Sequence, residues 1–418
     1  MLTYGKAMAI LAFTGAVIAK PLPESGATFS LESNVVVRAP KHQLEHIVNI
    51  KRRLGVEVHP ELAEAANKAA AKRNADLAAR KVTGTASGRS PNPYDTEFVY
   101  PIRIGGTTFK VIMDTASSDT WVYSSAQPAN QTVGHHIYQI NPAHKKPGVN
   151  FTIGYDGASS QVEGDAYVEP ITIGGITAKS TFGAASTAIA DWTSDLSQDG
   201  VVGLGIPNFN QIGGFGKEKT WFVDAIPMLD KPLFAVAHTK GHGVYDFGFI
   251  NQKKISGPIT WVWNRVERYW DAYGFLGDGF GIGDPSAQIT KRKMKIHLEA
   301  GTDISFTDPD IVKAWYSLIP GAVTVVEQGY TIPCNSKPPG WTVTIRGRKF
   351  FTPGCALISQ PVDDEGKNCL GGLQNIGGGV DFSLFGINFH KGKYIIQDYT
   401  DPNHIKLGFA MQPGSNAC

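Results

Sequence analysis

The fold is decided by residues 111–122, which read Val-Ile-Met-Asp-Thr-Ala-Ser-Ser-Asp-Thr-Trp-Val. Apolar residues lead directly into Asp114, small and hydroxylated residues follow it, and an aromatic residue comes near the end. This order predicts a buried strand that ends in a tight turn with Asp114 at its tip. Thr115 and Ser117 can hydrogen-bond the carboxylate or the turn backbone. Taken alone, the pattern is more often an ordinary Asx turn. The other motifs of the chain are therefore needed to interpret it.

Several short motifs accompany this stretch. Residues 151–157 alternate in polarity and contain an Asp-Gly turn, which predicts a hairpin. Residues 199–205 and 384–389 contain apolar runs broken by Gly, and a second acidic turn, Glu299-Ala300-Gly301-Thr302, follows Leu298. With the first stretch, these motifs resemble the pepsin-like aspartic peptidases (peptidase A1), in particular the fungal secreted type, over about residues 93–412.

The resemblance implies an all-β, bilobal fold of two β-barrel lobes with a substrate cleft between them. In this family each lobe supplies one Asp, and the two carboxylates lie about 3 Å apart and share one proton. They act as base and acid on a water that attacks the peptide carbonyl. The first loop matches the family pattern at Asp114, Thr115 and Ser117, with Ala116 where the family has Gly.

The second loop departs from the pattern, because Glu299 and Ala300 replace Asp and Thr. Ile311 follows Glu299 by twelve positions, as in the family, so Glu299 is identified as the second catalytic carboxylate. Its extra methylene, roughly 1.5 Å of added reach, exceeds the displacement of about 1 Å that can cost a hundredfold in rate. Ala300 also lacks the hydroxyl that cross-ties the loops. We therefore expect weak or lost peptide-bond hydrolysis.

Further residues of the cleft are identified through the resemblance. Tyr155 is expected to cover the catalytic pair from a flap hairpin, with Trp121 behind it. In the second lobe Ile387 stands where the family has an acid. The residues expected to surround the substrate are Tyr155, Thr115, Ser117, Gly301 and Thr302.

Composition divides the chain into processing segments and a body. Residues 1–19 have the plan of a signal peptide that directs secretion. Residues 20–89 carry twelve Lys or Arg against seven Asp or Glu with helical spacing, as in a basic pro-segment followed by a linker over 84–93. The remaining body is too large for one core, which predicts an N-terminal lobe over 90–230 and a C-terminal lobe over 231–418. Helices are expected at 219–230 and 309–318.

Four cysteines fit an exported chain. The resemblance pairs Cys334 with Cys369, and it leaves open whether Cys355 and Cys418 pair. Two sequons predict glycosylation at Asn130 and Asn150.

Other patterns point away from alternative functions. The Gly-rich residues 277–283 predict strand and turn, because no helix follows as a dinucleotide loop requires. His135 and His136 are expected to be surface histidines, and no metal or cofactor is predicted. The basic cluster at 51–53 lacks interleaved aromatic residues, so no nucleic acid partner is expected. We expect a monomer with no membrane association that takes a peptide or protein substrate or ligand in its cleft.

Three functions compete at this stage. The first is a secreted aspartic endopeptidase with an Asp114/Glu299 pair. The second is a non-proteolytic homologue whose cleft binds a peptide or apolar small molecule. The third is another reaction in the same cleft, such as a step of secondary-metabolite biosynthesis, for which the sequence carries no positive signal.

Overall fold

The structure is a computed structural model that describes residues 43–78, 81–155, 161–265, 273–325, 329–377 and 379–415. The predicted signal peptide and the start of the predicted pro-segment lie outside the described residues. Two helices, α1 (Gln43–Arg53) and α2 (Pro60–Ala78), contact each other and confirm the helical spacing expected there. α2 is rich in Ala, the strongest helix former, and has Glu61 in its first turn, where the helix dipole favours an acid.

Residues 84–89, expected to belong to a linker, instead form β1 (Gly84–Arg89). β1 pairs antiparallel with β10 (His242–Phe247) along its whole length, from Gly84 opposite Phe247 to Arg89 opposite His242. Gly, Ala and Ser give little strand signal of their own, and Thr85 is the one β-branched residue of this strand. The strand forms because β10 supplies backbone partners and because Ala86 becomes buried. The prediction of a linker was therefore wrong for these residues.

The first lobe is a closed six-stranded barrel. Its strands pair in the order β2-β3-β8-β4-β7-β6, and β6 pairs back with β2 to close it. A hairpin arm, β5 (Lys145–Gly154), extends from β6. The barrel strands are β2 (Val99–Ile104), β3 (Thr107–Asp114), β4 (Thr120–Val122), β6 (Gln161–Ile173), β7 (Ile176–Ala188) and β8 (Gly200–Gly203), with helices α3 (Ala190–Ser194) and α4 (Trp221–Ala225).

An antiparallel central sheet joins segments that are far apart in sequence. Its strand order is β11-β24-β23-β9-β10-β1, and β1 continues into the barrel through β2. The middle strands β9 and β23 are buried at every residue except the last, and the buried residues include the polar His238, Lys393 and Gln397. The strands not yet given are β9 (Leu233–Thr239), β11 (Ser256–Trp263), β23 (Lys393–Asp398) and β24 (Lys406–Met411).

The second lobe consists of two further sheets. One has the order β18-β17-β12-β13-β22-β14-β21 and the other β15-β16-β20-β19. The Gly-rich stretch 277–283 lies in β12, which confirms its reading as a strand. The bounds are β12 (Tyr273–Gly283), β13 (Thr290–Leu298), β14 (Ser305–Thr307), β15 (Val323–Val325), β16 (Gly329–Pro333), β17 (Gly340–Ile345), β18 (Arg348–Thr352), β19 (Ile358–Pro361), β20 (Asn368–Gly371), β21 (Leu373–Asn375) and β22 (Ser383–Phe385), with helices α5 (Pro309–Tyr316) and α6 (Ile387–His390).

The predicted all-β, bilobal fold is confirmed. One hydrophobic core runs from the barrel into the second lobe, and it includes Met113 before the first loop and Leu298 before the second. Both residues are almost fully buried, as expected for strand residues that anchor the loops. Both predicted helices are present, although the first is shorter than expected and ends in a 3-10 turn.

Candidate active site

The first acidic loop starts where β3 ends at Asp114. β8 runs parallel to β3 and lies opposite Met113 and Asp114, and Leu204 N, directly after β8, donates to Asp114 O at 2.7 Å. A side chain at Gly203 would overlap the backbone of Ser118 and Asp119, so only Gly permits this close passage. The loop is thus fixed by backbone contacts on both sides.

Asp114 is a buried carboxyl group that is 6% exposed. Its Oδ1 accepts a hydrogen bond of 2.8 Å from Ala116 N. Burial raises the pKa of Asp114, and the Ser117 hydroxyl and the amides of Ala116 and Ser117 only partly offset this effect. Ser117 Oγ is buried and makes no hydrogen bond of good geometry among the described residues. Asp114 is therefore suited to keep a proton at a higher pH than an exposed Asp.

The second acidic loop is built on the same plan. β13 ends at Leu298, β22 runs parallel to it, and Glu299 N donates to Phe385 O at 2.9 Å. A side chain at Gly386 would overlap the carbonyls of Thr302 and Ile304, so Gly386 occupies the place that Gly203 has in the first lobe. Glu299 therefore lies directly after β13, in the position that corresponds to Asp114 at the end of β3.

The two loops meet at Gly301. A Cβ atom on Gly301 would lie 3.0 Å from Asp114 Cγ and 3.3 Å from Glu299 Oε1. Both carboxylates therefore pack against the same backbone position from opposite lobes. Glu299 is half-buried, so it is more accessible to solvent than the buried Asp114.

A hydrogen bond connects the two loops directly. Ala300 N donates to Thr115 Oγ1 at 3.1 Å, and both residues are buried. Ala300 has no hydroxyl to form a second, reciprocal tie. Thr302 is half-buried and its carbonyl accepts from Ile387 N at 2.7 Å, which binds the second loop to α6. Residue 300 can therefore bond Thr115 through its backbone N–H and not through its side chain.

The predicted flap residue Tyr155 lies at the end of β5, where Gly154 pairs with Gln161. Its hydroxyl accepts a hydrogen bond from Trp121 Nε1 at 2.8 Å, as the resemblance implies. The sequence reasoning missed Trp192, whose ring lies edge-on to both Tyr155 and Trp121, with centroids 4.9 and 5.2 Å away. An aromatic residue shortly before the run at 199–205 was the available signal. Asp156 and Gly157 lie outside the described residues.

Two further acids near the loops were also missed, the buried Asp119 and the half-buried Asp303. Asp119 Oδ1 accepts from Gln211 N at 2.7 Å and from Ile212 N at 3.2 Å, and burial raises the pKa of Asp119 to about 6. Asp303 accepts a hydrogen bond from Ser359 Oγ, and burial raises its pKa as well. Both partners come from distant segments, which explains why the sequence gave no sign of them.

The prediction of two surface histidines was wrong for His135. Its side chain is fully buried and stacks on Tyr123 with ring centroids 4.1 Å apart. Its ring nitrogens bond the carbonyls of Gln198 and Thr193. His136 is exposed as expected and pairs with Asp199 at 2.9 Å. The loop around 135 looks polar in sequence, but it folds over the barrel end and buries one of the pair.

The predicted disulfide between Cys334 and Cys369 is present. Cys355 is also disulfide-bonded, whereas Cys418 lies outside the described residues. Asn130 and Asn150 are both exposed, as attachment of a glycan would require. Among the described residues, no group of three or more His, Cys, Asp or Glu side chains is arranged to hold a metal ion. No helix in the described part of the chain is long and apolar enough to span a membrane.

Comparison with known proteins agrees with the observed fold. Residues 97–411 match the family model of the eukaryotic aspartyl proteases. The chain is 33% identical to aspartic protease pepA of Leptosphaeria maculans, covering 96% of this chain and 97% of the relative. It is 32% identical to penicillopepsin-3 of Penicillium janthinellum (96% and 98% covered) and 35% identical to aspergillopepsin-1 of Aspergillus fumigatus (77% and 80% covered). The chain belongs to the eukaryotic aspartyl protease family.

Proposed function

We propose that this chain is an exported aspartic endopeptidase homologue in which an Asp114/Glu299 pair hydrolyses peptide bonds weakly or not at all. The observation that carries the proposal is the packing of both carboxylates against Gly301. In this arrangement one carboxylate would take a proton from the attacking water while the other protonates the substrate carbonyl. Burial favours the protonated form of Asp114, which suits the acid role.

Two features of the second loop favour a slow reaction. The longer Glu299 side chain displaces the carboxylate relative to an Asp on the same backbone, and rate falls steeply with misplacement of this size. The tie from Ala300 N to Thr115 Oγ1 also lacks the reciprocal bond that a hydroxyl at position 300 would add, so it fixes the loops less firmly. The rest of the proposed cleft keeps its aromatic residues, with Tyr155 hydrogen-bonded to Trp121.

The aromatic residues are thus kept while the second loop is altered. This difference supports the alternative proposal, a cleft that binds a peptide or an apolar small molecule without cleaving it. Tyr155, Trp121 and Trp192 form an aromatic group beside the first loop, and binding through such a group does not need the catalytic pair. A step of secondary-metabolite biosynthesis would be a special case of this alternative. The same experiment separates the two proposals.

The test is cleavage of an unstructured protein between about pH 3 and pH 6 by purified chain without residues 1–80, with and without pepstatin. We expect slow cleavage that pepstatin blocks and that Asp114→Asn abolishes. The double variant Glu299→Asp/Ala300→Thr should raise kcat/KM by about a hundredfold, since it restores both the reach and the missing hydroxyl. Asp284→Asn, an exposed site, serves as the matched control.

Each outcome decides between the proposals. Parent cleavage at the rate of the double variant would contradict impaired catalysis. No cleavage by the parent, followed by recovery in the double variant, would show an intact scaffold that has lost proteolysis and would favour the binding alternative. Cleavage that survives Asp114→Asn would exclude Asp114 as a catalytic residue.

A further inference from the structure

Three buried tyrosines lie beneath the first acidic loop, and we call Tyr245, Tyr273 and Tyr399 the tyrosine group. They are 0%, 0% and 4% exposed. Tyr245 lies in β10 of the central sheet, Tyr273 begins β12 of the second lobe, and Tyr399 directly follows β23. A buried hydroxyl in a folded protein nearly always has a hydrogen-bond partner. The partners of these hydroxyls therefore show what the tyrosine group holds in place.

The hydroxyls of Tyr245 and Tyr273 both bond backbone next to Asp114. Tyr245 Oη donates to Met113 O at 2.7 Å, and Met113 is the residue before Asp114. Tyr273 Oη donates to Leu204 O at 2.7 Å, and Leu204 N in turn donates to Asp114 O at 2.7 Å. One tyrosine thus holds the strand that carries Asp114, and the other holds the segment that bonds it from β8.

Tyr399 fixes the direction of the Tyr273 hydroxyl. The two Oη atoms are 2.6 Å apart. Because the one hydrogen of Tyr273 Oη is directed at Leu204 O, Tyr399 is the donor in this contact. A series of hydrogen bonds therefore runs from Tyr399 through Tyr273 and Leu204 to Asp114. It lies in the interior, where such bonds are stronger than in water.

The backbone of Tyr273 connects the tyrosine group to the second acidic loop. In the pairing of β12 with β13, Tyr273 lies directly opposite Leu298, the residue before Glu299. The side chain of the same residue reaches Leu204 in the first lobe. Tyr273 is therefore joined to both loops, through sheet pairing to the strand that leads to Glu299 and through its hydroxyl to the segment that bonds Asp114.

The second loop has no such hydroxyl support within the described ranges. The carbonyls that correspond to those bonded by the tyrosines are Leu298 O and Ile387 O, and no side-chain hydroxyl among the described residues donates to either. Phe385, which lies opposite Leu298, packs instead against Trp341 with ring centroids 4.7 Å apart. The hydroxyl contacts thus restrain the loop that carries Asp114.

The two hydroxyls that bond the backbone keep their protons in acid and at neutral pH. Burial raises the pKa of Tyr273 well above its usual range. It does the same to the pKa of Tyr245, and the charges of Tyr100 and Asp114 add to the effect. The hydrogen bonds of the tyrosine group therefore stay formed over the whole pH range of the cleavage test.

We propose that Tyr273 is a positioning residue for the pair Asp114 and Glu299, because it connects the two acidic loops through the interior. The rest of the tyrosine group orients its hydroxyl and holds the adjacent strand. The proposal rests on the proposed function in so far as these two carboxylates are the reactive pair. It adds a connection between the loops that is independent of the hydrogen bond from Ala300 N to Thr115 Oγ1.

The test compares Tyr273→Phe with the wild type and with Tyr394→Phe in the full chain. Tyr273→Phe removes one oxygen atom and keeps the ring. Tyr394→Phe is the matched control, since it removes a buried hydroxyl that bonds Asp246 at 3.0 Å on the other face of the central sheet. The pKa of Asp114 is measured by carbon-13 NMR of chain labelled at the Asp carboxyl carbons, and its signal is identified by its loss in Asp114→Asn.

We expect the pKa of Asp114 to rise by about 0.5 in Tyr273→Phe and to stay unchanged in Tyr394→Phe. Loss of the Tyr273 hydroxyl lets the first loop shift, which weakens the hydrogen bonds from Ala116 and Ser117 that lower this pKa. A purely structural role would reduce the free energy of unfolding and leave the pKa of Asp114 unchanged. An unchanged pKa in Tyr273→Phe, or an equal rise in Tyr394→Phe, would overturn the proposal.

A second variant covers the case in which Tyr273→Phe does not fold. Tyr399→Phe leaves the Tyr273 hydroxyl in place and removes the donor that orients it. The pKa of Asp114 should then rise by about half as much as expected for Tyr273→Phe. No change of this pKa in a folded Tyr399→Phe chain would also overturn the proposal.

The NMR measurement does not involve cleavage, so it separates this proposal from the proposed peptidase activity. A parent chain that cleaves nothing but shows the expected rise in the pKa of Asp114 would reject the activity and support the positioning role of Tyr273. Where cleavage is measurable, kcat should fall about fivefold in Tyr273→Phe with KM near the parent value, because a displacement of about 1 Å can cost a hundredfold in rate.

Discussion

The two acidic loops share a backbone and differ in the side chains placed on it. In each lobe a buried strand ends one residue before or at the carboxylate, a parallel strand passes beside it, and a Gly allows the close passage. These features need only apolar residues and glycine. The backbone arrangement does not depend on which acidic side chain stands at the tip of the loop. It can therefore accommodate Glu in place of Asp at that position.

The interior supports of the loops are not equivalent. In the first loop, the residue five positions after the carboxylate is Asp119, whose buried carboxyl accepts two backbone amides. The corresponding position of the second loop is Ile304, and a short hydrogen bond of 2.5 Å from Ser305 Oγ to Asn388 Oδ1 lies beside it. The first loop therefore has an ionisable support at this position. In the second loop the ionisable group is Asp303, one position earlier, and neutral groups surround Ile304.

The largest expected effect tests the shared backbone. Gly203→Ala and Gly386→Ala should each lower the free energy of unfolding by about 4 kcal/mol, because the new methyl group meets rigid backbone of the adjacent loop. Gly277→Ala is the matched control, since its methyl group meets only the movable end of the Ile296 side chain, 2.8 Å away. Urea unfolding at neutral pH measures all three.

A large difference in stability between Gly203→Ala and Gly386→Ala would contradict the view that the two loops share one backbone arrangement. If Gly386→Ala were tolerated and Gly203→Ala were not, the second loop would be the softer of the two. Such a result would agree with weak positioning of Glu299. If Gly277→Ala cost as much as the others, close backbone passage would not be the cause.

The sequence was sufficient to predict the features that the two loops share. It was not sufficient where a side chain or strand has its hydrogen-bonding or packing partner in a distant segment of the chain. The apolar run before Asp114 and the spacing from Glu299 to Ile311 placed both loops, because strand, turn and helix signals are local. The Ser359 partner of Asp303 and the stacking of His135 on Tyr123 depend on contacts that only the tertiary fold creates. β1 was mistaken for a linker for the same reason, since its strand structure depends on pairing with β10.

A smaller effect concerns the pH dependence of stability, which should reveal the ionisable Asp119 that supports the first loop. Burial raises the pKa of Asp119 from 3.8 to about 6, so its ionisation destabilises the fold as pH rises through that interval, by about 3 kcal/mol in total. Asp119→Asn keeps an oxygen for Gln211 N and Ile212 N and cannot ionise. Its stability relative to wild type should therefore improve by about 2 kcal/mol between pH 4 and pH 7. The cost of an unpaired amide is the same at both pH values and cancels from this difference.

Urea unfolding of both proteins at the two pH values gives this difference directly, because the other titrating groups contribute equally to each protein and cancel. Asp284→Asn provides the control at an exposed carboxylate. A relative stability of Asp119→Asn that is the same at pH 4 and pH 7 would show that Asp119 is not ionising in the buried position. The proposed asymmetry between the two loops would then lose its electrostatic basis.

The smallest expected effect concerns the hydrogen bond from Ala300 N to Thr115 Oγ1. Thr115→Val preserves the shape of the side chain but leaves the buried Ala300 N–H without its acceptor, which should cost about 1 kcal/mol of unfolding free energy. Thr115→Ser keeps the acceptor and should lose less. If the tie also positions the catalytic pair, any measurable kcat should fall in Thr115→Val, while KM stays near the parent value. Equal stabilities and rates for Val and Ser at this position would mean that packing against Gly301, and not the hydrogen bond, keeps the two loops together.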